Sequence, residues 1–188
     1  MALAQKKTYI SPEQYLEIRR TSDVLSEYLD GEVLAMAGNS KAHGIIVASV
    51  TRTVGNLLVD KACDTSAGIS IKAPTSYLIP DLVVYCGDGE FTEVDDLLLN
   101  PLIVFEVLSD STERYDRGHK WMKYQQIDSL RHYVMISQGE PFVEVYTRRP
   151  DGGWNYDSST GNTGHVSLSH LDLTLALADI YGRVEFVD

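Results

Sequence analysis

Apolar positions along this chain recur in two spacings, steps of three and four and steps of two, and the changes from one to the other mark out its elements. Ser11-Pro12-Glu13-Gln14 carries a capping Ser, a Pro at the first helical position and a Gln three residues after the Ser. Together these satisfy or remove the orphan amides of a helix start, which predicts a helix of about ten residues running to Arg20. Val24–Leu29 and Glu32–Met36 flank Asp30-Gly31, a pair that tolerates the positive φ of a two-residue turn, so a hairpin is predicted there. From Ser40 to about Lys61 the stripe Ile45, Ile46, Ser49, Val50, Val54, Leu57 and Leu58 predicts the longest helix. Ile69-Ser70-Ile71, Ile79–Tyr85 and Leu102–Leu108 read as central strands with two apolar faces, the last two separated by a turn-rich Gly87-Asp88-Gly89 break. Ser111–Ile127, with Tyr115, Trp121, Met122, Tyr124 and Ile127 set among charges, reads as an amphipathic helix packed on the strand before it. His132–Ile136 and Phe142–Tyr146 read as a second hairpin, and Pro150-Asp151-Gly152-Gly153 as a further turn. The tail alternates Leu168, Leu171, Leu173, Leu175 and Leu177, which is a strand or a strand running into a helical turn at Ala178–Tyr181.

This order of elements predicts an α+β fold, a mixed sheet flanked by helices with the first helix and hairpin at its start. The 188 residues suit one domain, taken as 1–188, without internal repeat, linker or low-complexity tract. No GxGxxG or GxxxxGK[ST] follows any strand, which argues against doubly wound nucleotide folds. With 44% hydrophobic and 23% charged residues the chain is neither disordered nor fibrous. Its net charge of −11 makes the molecule as a whole repel nucleic acid, so any phosphate partner needs a local basic groove or a bound cation. Cys63 and Cys86 lack CxxC spacing and are expected to be free core thiols. Met-Ala-Leu-Ala-Gln-Lys-Lys has no apolar signal core, and the longest apolar run, Leu102–Leu108, falls far short of a membrane span. A cytoplasmic protein without membrane contact is expected.

Glu106 is the oddity, a carboxylate in the middle of Leu-Ile-Val-Phe-Glu-Val-Leu. A lone buried charge costs several kcal/mol unless it is paired, protonated or bound to a cation. Either its strand lies at a sheet edge, or Glu106 pairs with an Arg or Lys, or it serves a site. Asp81 also opens an apolar strand, after Pro80, and if the two strands pair the two acids stand side by side. Neighbouring carboxylates repel unless they share a proton or a metal ion, and one or two carboxylates with waters and phosphate oxygens are what Mg²⁺ takes.

Pro80-Asp81, then Glu106-Val107-Leu108 on a following apolar strand, then a helix with a Lys, resembles the PD-(D/E)XK phosphodiesterase superfamily with its restriction-endonuclease-like fold. Glu27–Glu32, His43, Pro80–Val84, Glu106–Thr112, Tyr115–Gly118, Lys120 and Tyr124 together resemble a bacterial restriction endonuclease family of that superfamily, over about Ser11 to Tyr181. The superfamily places a Lys two residues after the second acid, where this chain has Leu108; Lys120 on the next helix matches the displaced Lys of the family. The resemblance implies an endonuclease that hydrolyses phosphodiester bonds, acting on DNA as a homodimer. Mg²⁺, with Mn²⁺ as substitute, would be held by Asp81, Glu106 and the Val107 carbonyl. Lys120 would orient the water or stabilise developing charge, with Glu27 as a further carboxylate. The alternative is a catalytically silent nuclease-like domain that binds nucleic acid or protein.

Each of these residues also has a plain structural explanation. Lys120 can form an i,i+4 pair with Asp116, Lys123 competes with it for the same role, and Glu27 can be the solvated residue of a hairpin. Arg114, Arg117, Lys120 and Lys123 put four cations on one helix, the expected nucleic-acid face, or a face balanced by Glu113 and Asp116. His43 could contact a phosphate or merely pack, and Ser109, with Asp110, Ser111 and Thr112, could hold a phosphate or merely cap. The remaining histidines have no zinc spacing.

Overall fold

The computed structural model describes residues 9–36, 38–94 and 97–186. The Met1–Lys7 stretch read above for a leader lies outside them. The chain forms α1 (Pro12–Thr21), the hairpin β1 (Ser26–Leu29) and β2 (Glu32–Ala35), and α2 (Lys41–Leu57). The first half closes with β3 (Cys63–Ser66), β4 (Ile71–Ala73), β5 (Ser76–Leu78) and β6 (Leu82–Cys86). The second half holds β7 (Ile103–Leu108), then α3 (Glu113–Tyr115), a π-helical turn (Asp116–Lys120) and α4 (Trp121–Tyr124) in one continuous helix. Strands β8 (His132–Ser137), β9 (Phe142–Arg148), β10 (Trp154–Thr160), β11 (His165–Leu168) and β12 (Leu173–Ala176) lead into α5 (Leu177–Tyr181). The mixed α+β class is as expected.

Local chemistry accounts for the element starts. The Ser11 hydroxyl accepts the Gln14 amide and the Gln14 side chain accepts the Ser11 amide, a complete capping box ahead of Pro12. Asp30 at φ 49° and Gly31 at φ 99° make the two-residue turn, in register Leu29 opposite Glu32. Ser40 caps α2 by accepting the His43 amide.

The main sheet has the order β10-β9-β8-β7-β6-β3, with β7 and β8 parallel and the other pairs antiparallel. Its parallel pair is joined through the α3–α4 helix, and β7 lies well inside the sheet. One face carries Ile103, Phe105 and Val107 against Ile46, Val50 and Val54 of α2 and the apolar side of β11, β12 and α5. The other face carries Val104, Leu108, Tyr133 and Met135 against Tyr124 and Ile127, with Ile71 and Leu78 of a second sheet and Leu98 beside it. Tyr28 and Tyr77 of that second sheet, β2-β1-β5-β4, form a tyrosine cluster with Tyr15 of α1.

The structure corrects four of the readings. Cys63 and Cys86 are opposed across β3 and β6 and joined as a disulfide, not free thiols. Their neighbours Ala62 and Gly87 share a backbone hydrogen bond, so the cysteines occupy the closer, non-hydrogen-bonded kind of cross-strand pair. Strands β3 and β10 escaped the pattern reading, because edge strands with polar faces make no apolar run. Only Ile71 of the segment Ile69–Ile71 is strand, and α2 stops at Leu57, short of Lys61. The helix expected over Ser111–Ile127 ends at Tyr124 and contains a π turn.

Candidate active site

Pro80-Asp81 precedes the first residue of β6, and the β6–β7 ladder ends at Leu82 opposite Phe105. The next pair in that register is Asp81 opposite Glu106. With no further β6 strand beside it, the Val107 amide donates instead to Asp81 Oδ2 at 2.7 Å, so the side chain continues the ladder where the backbone leaves it. A strand residue's N–H and C=O point to the same side, which puts the Val107 carbonyl on the Asp81 side too.

Glu106 faces away from α2, and it is only 3% exposed. The edge-strand explanation is therefore gone, and the pairing one is present. Lys120 Nζ lies 2.8 Å from Glu106 Oε1, 3.0 Å from Glu27 Oε1 and 3.6 Å from Asp116 Oδ1. It also donates to the Ile79 carbonyl at 3.3 Å. The Tyr124 hydroxyl donates to Glu106 Oε1 at 2.8 Å, and the Lys120 ammonium sits 5.9 Å from the Tyr115 ring centroid. Glu27 Oε1 accepts the Ile79 amide at 2.7 Å, so this carboxylate of the second sheet grips the chain just before Pro80-Asp81. Glu27 is buried, not a solvated hairpin residue.

Asp116 and Lys120 open and close the π turn, and both are buried. An i→i+5 turn admits one residue more than an α-helical turn and shifts the phase of the residues after it, and such turns gather at functional sites. Asp116 is the site residue that sequence reasoning passed over. Its i,i+4 spacing to Lys120 was visible, but it read as a surface pair, whereas both side chains are buried.

One ammonium faces three buried carboxylates, so the cluster carries excess negative charge. Burial raises the Glu106 carboxyl well above its ordinary range, against the pull of Lys120 and with Asp116, Asp81 and Glu27 adding to the rise. Asp116 is raised by burial as well. For Lys120 burial alone would lower the value, but Glu106, Glu27 and Asp116 outweigh it and hold the ammonium charged. A cation entering beside Asp81 and Glu106 would relieve this excess.

Among the described residues no three His, Cys, Asp or Glu side chains form a ready-made metal cage. Two carboxylates and a carbonyl are nonetheless an all-oxygen set that suits a hard ion retaining several waters. The donor chemistry thus fits Mg²⁺, with Asp81, Glu106 and the Val107 carbonyl as the groups that would hold it.

The expected nucleic-acid face is only partly assembled. Arg114 is exposed. Arg117 donates to Glu113 at 2.7 Å and pairs with Glu144. Lys123 is bound to Asp30 and Thr75 of the second sheet, at 2.6 and 3.2 Å, and Lys120 is buried in the cluster. Three of these four cations are thereby engaged inside the molecule, and Lys123 is too committed to Asp30 to replace Lys120. Ser109 bonds the Ser111 and Thr112 hydroxyls at 3.0 Å each, a local hydroxyl cluster ahead of the helix, whose N-cap Thr112 makes no side-chain cap. His43 is buried and reaches Asp81 Oδ1 with Nε2 at 3.3 Å. It stands at the site, by way of the carboxylate.

The profile of the family described as "Uma2: Putative restriction endonuclease" matches residues 12–178. Two proteins of Synechocystis sp. are similar along nearly their whole length. slr1290 is 32% identical, with 94% of each chain covered. sll1609 is 26% identical, over 92% of this chain and 99% of its own. The fold is that of a crystal structure from Anabaena variabilis ATCC 29413 titled "a putative nuclease belonging to DUF820". The TM-score is 0.78 at 14% identity, over 94% of this chain and 99% of that one. Among the described residues no helix is long and apolar enough to cross a membrane.

Proposed function

We propose, from the premise that this chain belongs to the Uma2 family of restriction-endonuclease-like proteins, that it is a Mg²⁺-dependent endonuclease hydrolysing phosphodiester bonds in DNA. The observation that carries the proposal is Asp81, just ahead of β6, bonded to the Val107 amide next to Glu106 of β7, with the Lys120 ammonium on Glu106. A bound divalent cation supplies Lewis acidity to a phosphoryl oxygen and acidity to the attacking water. The chain's own part is positional. Asp81 is aimed by the Val107 amide, and Glu106 is aimed by Tyr124 and Lys120. Asp81, Glu106 and the Val107 carbonyl would hold the cation, and Lys120, beside Glu106, would be the donor for charge building on the phosphate. Glu27 keeps Lys120 and the Ile79–Asp81 segment in place. A two-fold pair of chains, each cutting one strand, suits duplex cleavage; sedimentation of the protein with a short duplex tests that part.

A second reading is favoured by one specific observation. Lys120 is saturated by three carboxylates and two other helix cations are spent on Glu113, Glu144 and Asp30, which fits a silent nuclease-like binding domain. The test is to incubate supercoiled plasmid with wild type, Asp81→Asn, Glu106→Gln and Lys120→Met in Mg²⁺, Mn²⁺ or EDTA. Nicking by the wild type alone, and only with metal, is expected. DNA bound but left intact by every variant supports the silent domain instead.

A further inference from the structure

We infer that His43 is a positioning residue for Asp81, and that it acts on the carboxylate rather than on the substrate; this rests on the reading of Asp81 as a cation-holding group. Asp81 has two anchors of different origin. Oδ2 takes the backbone amide of Val107 at 2.7 Å, and Oδ1 faces His43 Nε2 at 3.3 Å. With one oxygen tied to β7 and the other to α2, the carboxylate plane is fixed about its last torsion. Each oxygen still has a lone pair free for a cation, since an ionised carboxylate offers about four acceptor directions.

His43 is built to hold such a position. It is 5% exposed, in the first turn of a 17-residue helix that packs onto the main sheet through Ile46, Val50 and Val54. The Ser40 hydroxyl accepts the His43 amide at 3.1 Å and donates to Gln138 Oε1 at 3.0 Å. Gln138 in turn donates its amide to the Leu108 carbonyl at 3.2 Å. The first turn of α2 is therefore tied to the ends of β7, which carries Glu106, and its parallel neighbour β8.

Its other nitrogen, Nδ1, is buried without a hydrogen-bond partner among the described residues. That asymmetry assigns the ring hydrogen. A bare Nε2 against a carboxylate would be repelled, while a hydrogen on Nε2 can donate to Asp81 Oδ1. Nδ1 is itself buried and does not reach solvent. This separates His43 from a phosphate-contacting role.

Two measurements on the full chain test the inference. In the metal-free protein, a long-range ¹H–¹⁵N correlation spectrum, assigned with His43→Gln, should show hydrogen on Nε2 of His43; a bare Nε2 overturns the assignment. Mn²⁺ binding is then followed by the rise in unfolding midpoint. His43→Ala should bind Mn²⁺ about tenfold more weakly, the effect typical of losing a group that orients a metal ligand. His43→Gln, whose amide N–H can replace Nε2, should stay within about threefold of wild type, which a simple packing role would not predict. Equal Mn²⁺ affinity in wild type and His43→Ala, or no rescue by Gln, overturns the inference; the metal-free midpoints show that the variants fold. If the wild type itself takes no Mn²⁺, the cation reading of Asp81 and Glu106 fails, and the imidazole spectrum alone still decides whether His43 holds Asp81.

Discussion

Two buried groups should give the stability of this protein opposite pH slopes. His132 is fully buried, and with Nδ1 on Thr147 Oγ1 at 3.1 Å and the His170 amide donating to Nε2 at 3.2 Å it is held neutral. Burial pushes it down from 6.5 to about 4, with His170 adding a little. A depressed folded value contributes stability that is complete above pH 6.5 and is lost as pH falls toward 4, up to roughly 3 kcal/mol. Urea unfolding at pH 7 and pH 5 should show this loss in wild type and a smaller one in His132→Gln. Glu106 behaves in the other sense. Its raised carboxyl favours the fold most below its unfolded value near 4.5, and that contribution is lost as pH rises through the folded value. Glu106→Gln should therefore gain stability relative to wild type between pH 5 and pH 8 when EDTA is present; a loss over that window would mean that the Lys120 pair outweighs the excess charge. The two acids were legible in the sequence, because a charge inside or at the head of an apolar run needs an explanation, and Lys120 was named through the family resemblance. Asp116 was not, since its burial depends on Glu27, Glu106 and Tyr133 arriving from distant parts of the chain.

At the level of elements, the hairpin β1–β2 delivers Glu27 to Ile79 in a fixed register, so its turn is a site determinant at a distance. Gly31 stands at φ 99°, and a side chain there would also run into the Tyr9 ring. Gly31→Ala should lower stability by about 1–2 kcal/mol. Gly55 lies inside α2 with open space where a Cβ would go, so Gly55→Ala should raise stability by about 0.5–1 kcal/mol. Thermal unfolding of both variants checks the pair, which differ in sign for the same substitution. Capping residues and turn pairs made α1, the hairpin and the start of α2 readable. Strand β3, Cys-Asp-Thr-Ser, and the exposed middle of β10, Asn-Tyr-Asp-Ser, were not readable, because an edge strand with one wet face needs few apolar side chains. The π turn left no periodic mark, since a one-residue phase shift inside a short helix is too brief to alter the hydrophobic pattern.

On the scale of the whole molecule, the main sheet is closed on one side by the edge strand β3, which is held to β6 by four register pairs and by the Cys63–Cys86 disulfide. Cutting that link, across a sequence separation of 23, should cost about 3 kcal/mol by the chain-entropy estimate. Unfolding with and without a phosphine reductant, against Cys63→Ala/Cys86→Ala, measures it, and the double variant should be insensitive to the reductant. The two sheets meet at the acidic cluster, and here two backbone amides have carboxylates rather than carbonyls as acceptors. Ile79 reports on Glu27, and Val107 reports on Asp81. An amide proton moves strongly in chemical shift when its acceptor gains a proton or a cation. Two backbone resonances in an otherwise unlabelled site thus serve as separate gauges of the two sheets, and filling the site should move the Val107 signal while leaving that of Ile79 nearly still.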